Sequence, residues 1–572
     1  MNTARANTLC ARALIEGLAL EGVRHAVVTP GSRSTPLVFA LADQSQVRPW
    51  LILDERSAGF FALGLARALG EPVAIACTSG TAVANLAPAI VEANLSRVPV
   101  IALTADRPPR LRDVGAAQTI DQVHFFGRQV RWSVDLPVPS LAAAQAFTAA
   151  GRRAARASLE ALPGPVQVNV PFDEPLIEPP AEHPGPWEPR MGACSRPRYE
   201  PDSAALERVA ALAAAARRPL IIAGPETGGL PVDPLLALAE ALDAPLLADP
   251  LSGLRAGVER DAPVLDAFDA WLRGARVGEP DFVLRFGAAP TSKTLNQLLA
   301  ALPAALHVVV DRPGGYREPN GLSPVVLVGD PAVVAEALAC AGLPRAEPGW
   351  RAAWASADRA ARNALDTAAA TDDLFEGRVF ALLRELLPAG ATVVAGNSMP
   401  VRDLENFFGV RSAPATITAN RGANGIDGVM SSAAGAAASG SPTVVVVGDV
   451  SFHHDTNALW AVREHHLPLL AIVVNNNGGG IFHYLPQVAH DRSFERWFAT
   501  PPNLDFRHAA RLFDLEYTCA VDWPTFERAL ARWCDSPAPA VLELRTDRRL
   551  NVALHQRAWD AAVAAASEVL ER

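Results

Sequence analysis

The sequence predicts an α/β fold made of three doubly wound domains, each built around a parallel sheet. Short runs of valine and other β-forming residues recur along the 572 residues and end on glycine, proline or polar residues, which is typical of buried parallel strands. Stretches of helix length and helix-forming composition separate many of these runs, as crossovers between parallel strands require. The chain is also too long for one hydrophobic core, so several domains are expected.

The first domain is predicted at residues 1–185. It begins with an amphipathic helix within Met1–Gly22, which lacks the pattern of a signal peptide. Strands are expected at Ala26–Val28, Val73–Cys77 and Val98–Leu103. The following segment, Pro179–Pro201, is rich in proline and charge and is predicted to be a linker.

The second domain is predicted at residues 202–345, with strands near Leu220–Ala223, Phe282–Phe286 and His307–Val310. No Gly-x-Gly-x-x-Gly fingerprint follows a strand there, so the sequence does not support an intact dinucleotide site. An alanine-rich segment, Ala352–Ala370, is predicted to be a helical linker to the third domain.

The third domain is predicted at residues 371–572 and contains the most informative pattern. The strand runs Thr443–Val447 and Leu469–Val474 flank a stretch of helix length, Asp455–His466, which predicts a right-handed βαβ unit. Asp449 and Asn476 then lie at the carboxyl ends of two parallel strands, where ligands bind in open α/β sheets. A carboxylate and an amide followed by three glycines offer hard oxygen ligands to a magnesium ion that holds a diphosphate.

The bulk composition excludes several functional classes. The formal net charge is −10 and no long basic run occurs, which argues against nucleic acid as the main partner. The longest apolar runs are shorter than the ~18 residues that a membrane helix needs. The widely spaced cysteines include no Cys-x-x-Cys pair, so neither a disulfide framework nor a zinc site is expected. These observations predict a cytoplasmic enzyme without membrane insertion.

The strings "GDVSFHHDTNAL" and "VVNNNGGGIF" resemble the thiamine-diphosphate motif, which opens with Gly-Asp and closes with Asn-Asn. The resemblance implies that Asp449, Asn476 and the Gly478 carbonyl hold Mg²⁺, with Mn²⁺ as an alternative. It also implies the decarboxylase and carboligase type of fold, in which the first domain binds the aminopyrimidine and the third the diphosphate. The site in that family forms between subunits of a homodimer or homotetramer. Further cofactor contacts are implied at Gly448, Val450, Ser451, Ile481 and Phe482.

The same resemblance requires a glutamate that faces the pyrimidine ring, and "LDERSAGFFALGLARALG" provides Glu55. Bonded to the pyrimidine ring nitrogen, this carboxyl group favours the imino tautomer, so that the exocyclic nitrogen becomes the base. The structural alternative for Glu55 is a helix-start carboxylate that the helix macrodipole favours. By resemblance, Ile426 is the bulky residue that holds the cofactor bent.

Three further strings narrow the resemblance to the menaquinone-pathway family of 2-succinyl-5-enolpyruvyl-6-hydroxy-3-cyclohexene-1-carboxylate synthases. They are "TPGSRSTPL", "LTADRPPRLRDVGAAQTIDQ", and the pair "GNSMPVRDLE" and "NRGANGIDG". The match spans nearly the whole chain with its motifs in order. It implies decarboxylation of 2-oxoglutarate and addition of the succinic-semialdehyde carbanion to isochorismate. Both substrates are dicarboxylates, which arginine forks bind well.

The resemblance assigns one group of residues to each substrate. The 2-oxoglutarate group is Asn397, Ser398, Arg402 and Arg421, and the isochorismate group is Arg33, Arg107, Gln118 and Lys293. Lys293 is the only lysine among the 51 lysines and arginines, which hints at a role that arginine cannot fill, although a retained surface lysine is the alternative. An asparagine often precedes the glutamine in this family. Ala117 stands there in this chain, so one polar contact to isochorismate is missing or comes from elsewhere.

Two other hypotheses remain open at this stage. The chain could be another thiamine-diphosphate carboligase or decarboxylase, such as an acetohydroxyacid synthase with a flavin in its middle domain or an oxalyl-coenzyme A decarboxylase with a nucleotide pocket. It could also be an inert relative that serves as a binding or regulatory subunit. Intact Glu55, Asp449 and Asn476 argue against the inert relative.

Overall fold

The computed structural model describes residues 3–180, 182–188, 190, 198–259, 261–302 and 305–572. The described chain contains three six-stranded parallel sheets, each covered by helices. The predicted fold class is therefore confirmed.

The first sheet has the strand order β2-β1-β3-β4-β6-β5. Two of its central strands, β3 and β4, are buried along their whole length, which explains their near-continuous apolar sequences. The strands are β1 His25–Val28, β2 Arg48–Leu51, β3 Val73–Cys77, β4 Val100–Asp106, β5 Trp132–Asp135 and β6 Val166–Pro171. The helices are α1 Thr3–Leu20, α2 Thr35–Ala42, α3 Glu55–Leu69, α4 Thr81–Asn85, α5 Ala87–Leu95 and α6 Ala144–Leu159.

The second sheet has the order β12-β11-β10-β7-β8-β9. Its register pairs Phe282–Phe286 with Pro219–Ala223 on one side and with Leu306–Val310 on the other. The strands are β7 Pro219–Ala223, β8 Leu246–Ala248, β9 Val264–Leu265, β10 Phe282–Phe286, β11 Leu306–Asp311 and β12 Val325–Val328. The helices are α7 Ser203–Ala214, α8 Val232–Leu242, α9 Phe268–Trp271, α10 Lys293–Ala300 and α11 Pro331–Ala339.

The third sheet has the order β14-β13-β15-β16-β18-β17, so that β15 and β16 are neighbours. The strands are β13 Ala391–Ala395, β14 Ala415–Ala419, β15 Thr443–Gly448, β16 Leu469–Asn475, β17 Glu516–Ala520 and β18 Ala540–Arg545. The helices are α12 Trp350–Ala369, α13 Glu376–Leu386, α14 Met399–Phe407, α15 Val429–Ala437, α16 Asp449–His454, α17 Ala458–Glu464, α18 Asp491–Phe494, α19 Arg507–Leu512, α20 Trp523–Asp535 and α21 Arg548–Glu571.

The chain forms two compact units. The first comprises residues 1–197, 420–443 and 453–469, and its core lies around the first sheet. Helices α15 and α17, although they fall between strands of the third sheet in sequence, belong to this unit, where α15 packs on α3. The second unit comprises residues 198–419, 444–452 and 470–572 and contains the other two sheets.

Two sequence predictions differ from the structure in detail, and a third lies partly outside the described residues. The predicted helix Asp455–His466 is only α17, Ala458–Glu464, because the buried Asp455 carboxylate bonds Ser431 and interrupts the helix there. The predicted linker Ala352–Ala370 is the packed helix α12, whose apolar face is buried along its length. Within the predicted linker Pro179–Pro201, residues 181, 189 and 191–197, which include Cys194, lie outside the described residues.

In the part of the chain that the structure describes, no helix combines the length and the apolar character needed to cross a membrane.

Candidate active site

The carboxyl ends of the neighbouring strands β15 and β16 carry the predicted diphosphate residues. Gly448 is the last residue of β15, and Asp449 begins helix α16 directly after it. Asn476 follows the last residue of β16. The two side chains therefore start from adjacent strand ends, as the sequence pattern requires.

Asp449 and Gly478 are in direct contact. Asp449 is 1% exposed, and its Oδ2 accepts a hydrogen bond from the backbone N–H of Gly478 at 2.7 Å. Burial raises the pKa of Asp449 to about 6, although this bond and the one from Val450 N–H act in the opposite direction. Gly478 has φ +137°, and a Cβ atom there would lie 2.2 Å from the carbonyl oxygen of Ala499, so only glycine fits.

The amide of Asn476 has one satisfied end and one orphaned end. Its Nδ2 donates to the Glu376 carboxylate at 2.9 Å, whereas its Oδ1 is buried and, among the described residues, has no hydrogen-bond partner. A buried polar atom without a partner is costly and calls for an explanation. A cation held by this oxygen, the Asp449 carboxylate and the Gly478 carbonyl explains it, and these hard oxygens suit Mg²⁺. The residues present therefore fit the metal.

The remaining predicted cofactor residues lie on short elements around these strand ends. Val450 and Ser451 are in the first turn of α16. Ile481 and Phe482, both half-buried, lie in the 3₁₀ segment Gly480–Tyr484 that follows the three glycines. Ile426, which is half-buried, lies in the loop before α15. Across the described residues, no three His, Cys, Asp or Glu side chains are grouped as metal ligands.

Glu55 is the first residue of α3 and is half-buried. The preceding residue, Asp54, caps this helix, because its carboxylate accepts from Arg56 N–H at 2.8 Å and from Ser57 N–H at 3.2 Å. The capping function is thus already filled by Asp54, whereas Glu55 is the acidic residue of the first turn, a position that the helix macrodipole favours. Burial raises the pKa of the Cys77 thiol, and the negative charge of Glu55 raises it further, so the carboxylate lies near the end of β3.

Arg33, Arg107 and Gln118 converge on the residues that follow β3. Arg33 donates its backbone N–H to the Thr78 hydroxyl at 3.2 Å. The guanidinium of Arg107 donates to the Ser79 hydroxyl, and Gln118 Nε2 donates to the Ser79 carbonyl at 3.0 Å. The structure therefore brings the turn that contains Arg33 and the segment that contains Arg107 and Gln118 to the same point.

This cluster is suited to an anionic ligand. Burial lowers the pKa of Arg107, and the positive charge of Arg33 lowers it further. Arg33 is 5% exposed and pairs with Glu174 at 2.8 Å, but the Glu174 side chain is 69% exposed and well solvated. Glu174 and the buried Asp106 both act on Arg107 as counter-ions, and guanidinium forks of this kind are suited to binding a dicarboxylate.

The other predicted substrate residues lie on separate segments. Asn397 and Ser398 follow β13, and Arg402 is on α14, where its guanidinium donates to the Ser398 carbonyl. Lys293 is exposed and begins α10, as its predicted place between strand and helix requires. Arg421 is half-buried and lies two residues after β14.

Buried Asp269 links two of these segments. Its carboxylate accepts from the Ser292 hydroxyl at 2.6 Å, directly before Lys293, and from the Asn406 amide at 3.2 Å on α14. Sequence reasoning missed this residue, as it missed Glu376 and Ser79. Only Ser79 had a local signal, since it lies in a small-residue turn after a strand.

Comparison with known proteins agrees with this arrangement. Residues 9–125 match the model of the thiamine pyrophosphate enzyme N-terminal TPP binding domain, and residues 399–544 match that of the C-terminal TPP binding domain. The described site residues Glu55, Asp449 and Asn476 fall within these matches.

Full-length relatives carry a more specific name. The chain is 45% identical over 581 residues to a 2-succinyl-5-enolpyruvyl-6-hydroxy-3-cyclohexene-1-carboxylate synthase of Geobacillus kaustophilus, covering 99% of this chain and 100% of the relative. It is 46% identical over 560 residues to the synthase of the same name from Chloroflexus aurantiacus, covering 96% and 95%. Among solved structures, benzoylformate decarboxylase from Polynucleobacter necessarius superposes with a TM-score of 0.70 at 17% identity, covering 94% of this chain and 98% of that one, which shows the shared fold.

Proposed function

We infer the reaction from one premise: this chain belongs to the family of 2-succinyl-5-enolpyruvyl-6-hydroxy-3-cyclohexene-1-carboxylate synthases, which are thiamine-diphosphate enzymes. The chain is a thiamine-diphosphate-dependent enzyme that forms a carbon–carbon bond in menaquinone biosynthesis. It removes carbon dioxide from 2-oxoglutarate and joins the remaining four-carbon unit to isochorismate. One molecule of each substrate gives one molecule of product and one of carbon dioxide.

The convergence of Arg33, Arg107 and Gln118 on Thr78 and Ser79 is the observation that supports this reaction most directly. The diphosphate and pyrimidine residues serve any thiamine-diphosphate enzyme and do not select a reaction. A pair of close, partly buried guanidinium groups at the first sheet, by contrast, is suited to a second substrate with two carboxylates. Isochorismate has this property. We therefore assign Arg33, Arg107, Gln118 and Lys293 to isochorismate.

The 2-oxoglutarate site is proposed at the third sheet. Asn397, Ser398 and Arg402 follow β13, and Arg421 follows β14, so these residues start from the ends of neighbouring strands. Carboxylate recognition at such strand ends is expected to combine a guanidinium fork with hydroxyl and amide donors.

Asp449, Asn476 and Gly478 would hold Mg²⁺ and through it the diphosphate, and Gly448, Val450, Ser451, Ile481 and Phe482 would contact the cofactor. Thiamine diphosphate, when bound, supplies the electron sink that the decarboxylation needs. Glu55 would hold a proton at the pyrimidine ring nitrogen, and Ile426 would support the cofactor from the side. Half-burial of Glu55, with no partner for its carboxylate among the described residues, supports this role.

The cellular location, the oligomeric state and the domain boundaries are also part of the proposal. We propose a cytoplasmic homodimer or homotetramer with active sites at subunit interfaces, and domains at residues 1–185, 202–345 and 371–572. Analytical ultracentrifugation of the cofactor-loaded protein tests the oligomer, because a monomer under those conditions would contradict it.

The decisive experiment mixes the purified protein with thiamine diphosphate, Mg²⁺, 2-oxoglutarate and isochorismate. We expect isochorismate to be consumed only when 2-oxoglutarate is present, with release of one carbon dioxide per product. Pyruvate in place of 2-oxoglutarate serves as the control. Acetolactate formation from pyruvate by a yellow, flavin-containing protein would support an acetohydroxyacid synthase instead, and turnover of neither substrate pair would support the inert relative.

A further inference from the structure

Glu376 has no place in the function described so far, although it is in direct contact with a proposed metal ligand. It is the first residue of α13 and is 2% exposed. Its Oε1 accepts two hydrogen bonds, from Asn476 Nδ2 at 2.9 Å and from the Thr546 hydroxyl at 2.8 Å. Its backbone N–H donates to Asn551 Oδ1 at 3.2 Å, which holds the start of the helix in place.

This contact decides which end of the Asn476 amide can reach a metal. An asparagine amide has a donor end and an acceptor end of nearly the same shape, and only its hydrogen-bond partners select between the two orientations. An ionised carboxylate accepts hydrogen bonds and donates none, so Glu376 Oε1, which also bonds the Thr546 hydroxyl, pairs with the NH₂ end of Asn476. The opposite orientation would place two acceptor oxygens against each other. Glu376 therefore turns the orphaned Oδ1 of Asn476 away from itself.

The adjacent asparagine provides an internal comparison. Asn475 Nδ2 donates to the fully buried Glu543 at 2.9 Å, so two consecutive asparagines are each held by a buried glutamate. Asn475 Oδ1, however, accepts from the Asn477 N–H at 3.0 Å, so this amide is satisfied by the protein at both ends. Of these two pairs, only that of Glu376 and Asn476 leaves the buried amide oxygen without a partner among the described residues.

We propose that Glu376 is a positioning residue that fixes the amide of Asn476 with its oxygen toward Mg²⁺. The inference rests on the proposed function, in which Asn476 is a metal ligand. Residues that orient metal ligands by hydrogen bonds commonly change metal affinity by ~10–100-fold when they are replaced. Glu376 acts through Asn476 and contacts neither the cofactor nor the substrates in this scheme.

The test measures binding of thiamine diphosphate to the metal-free protein by calorimetry at a series of Mg²⁺ concentrations. Glu376→Met keeps the length of the side chain but removes the acceptor, and we expect the affinity for Mg²⁺ to fall by ~10–100-fold. Glu376→Gln keeps an oxygen that can accept from Asn476, and we expect affinity close to that of the unchanged protein. Glu543→Met is the matched control, because it removes the buried glutamate of the neighbouring asparagine and should leave Mg²⁺ affinity unchanged.

Each result decides the inference. Wild-type Mg²⁺ affinity in Glu376→Met would overturn it, and so would equal losses in Glu376→Gln and Glu376→Met, because then the charge and not the amide orientation would matter. The melting temperature of each metal-free variant shows whether it folds. Excess Mg²⁺ should restore the turnover of Glu376→Met, which a merely structural defect would not allow.

A second pair of variants keeps the test independent of folding defects. Asn476→Asp places a carboxylate against Glu376, and the two acceptors repel each other. Adding Glu376→Gln supplies an NH₂ donor, so the double variant should bind Mg²⁺ more tightly than Asn476→Asp alone; equal or weaker binding would overturn the inference. Asn476→Ala distinguishes failure of the proposed metal site from failure of the proposed role of Glu376. If Asn476→Ala leaves Mg²⁺-dependent cofactor binding intact, the metal site itself is wrong. If Asn476→Ala abolishes this binding but Glu376→Met does not change it, only the role of Glu376 is refuted.

Discussion

The first and third sheets have the same strand order and carry different chemistry at the same edge. When the six strands of each sheet are numbered in chain order, the spatial order across both sheets is second, first, third, fourth, sixth and fifth. The middle sheet differs, with the order sixth, fifth, fourth, first, second and third, which is the dinucleotide-binding arrangement without its glycine fingerprint. Topology alone would therefore assign a nucleotide to the middle sheet, and the residues do not support it.

Equivalent positions at the two similar sheets show what differs. After the third strand, the first sheet continues with Ser79 and Gly80, and the third sheet with Asp449. After the fourth strand, the first sheet has Arg107 and the third has Asn476. One edge thus presents cationic and amide donors, whereas the other presents carboxylate and amide oxygens, to which we assign an organic anion and a metal, respectively. The fold determines where ligands meet the chain, and a few side chains determine which ligand binds.

The helices that follow the second strand of each sheet, α3 and α15, pack directly on each other within the first unit. Small residues allow this close approach: a Cβ atom on Gly64 would lie 1.9 Å from the Ser432 carbonyl oxygen, and one on Gly435 would lie 2.1 Å from the Phe61 carbonyl oxygen. Glu55 is the first residue of α3, and Ile426 lies in the loop before α15. The packing therefore holds two proposed cofactor contacts at a fixed spacing.

The largest effect is expected at the acid of the first sheet. Glu55→Gln removes the proton-holding group while it keeps size and burial, so kcat should fall by ~10²–10⁴-fold. Mg²⁺-dependent binding of thiamine diphosphate should be largely retained, because the ligands of the third sheet are unchanged. Steady-state kinetics and calorimetry measure the two quantities on the same sample.

Glu71→Gln is a suitable control, because this glutamate lies beyond the other end of α3. Near-normal turnover of Glu55→Gln would refute the catalytic assignment. If binding of the cofactor fell together with kcat, Glu55 would instead be mainly a binding residue.

A smaller and more selective effect is expected for the guanidinium groups. Lysine keeps the charge but loses the two-pronged fork, so Arg107→Lys should raise the KM for isochorismate by ~10-fold and leave that for 2-oxoglutarate nearly unchanged. Arg402→Lys should do the reverse. Steady-state kinetics with each substrate varied in turn checks both variants. Equal changes for the two substrates in either variant would contradict the assignment of one substrate to each edge.

The sequence predicted those parts of the molecule that depend on local patterns. Strands Val73–Cys77 and Phe282–Phe286 lie where the apolar runs placed them, because a buried parallel strand needs a continuous apolar sequence. The contact of Asp449 with Gly478 also follows from a local βαβ pattern, since adjacent strand ends are close in any such unit.

The rest depends on contacts between distant segments, which leave no local signal. Glu376 is 100 residues from Asn476, and in sequence it is only a glutamate at the start of a helix. Asp455 lies within a stretch of helix-forming composition, and its burial against Ser431 could not be inferred from that stretch. The convergence of Arg33, Arg107 and Gln118 was expected only from the resemblance. In the structure they meet at Thr78 and Ser79, directly after β3.

The last effect concerns stability and not turnover, at the carboxylate that joins α3 to α15. Asp455 is fully buried and accepts from Ser431 N–H at 2.7 Å and from the Ser431 hydroxyl at 2.9 Å. The hydroxyl of Ser57, two residues after Glu55, lies at 3.5 Å. Burial raises the pKa of Asp455 to about 6, and the bonds from Ser431 oppose this only in part.

This raised pKa gives the stability a defined pH dependence. The folded state binds the proton of Asp455 more tightly than the unfolded chain, where the pKa is ~3.9. The resulting stabilisation is fully present below about pH 4 and is lost as the pH rises through about 6, a change of ~3 kcal/mol. Asp455→Asn removes the titrating group, so the melting temperature of the wild type minus that of the variant should fall steadily between pH 4.5 and 7. Glu464→Gln, an exposed change in the same segment, should show no such slope. A difference between wild type and Asp455→Asn that stays constant, or that grows with pH, would show that Asp455 is not held as a buried, proton-retaining link between the two helices.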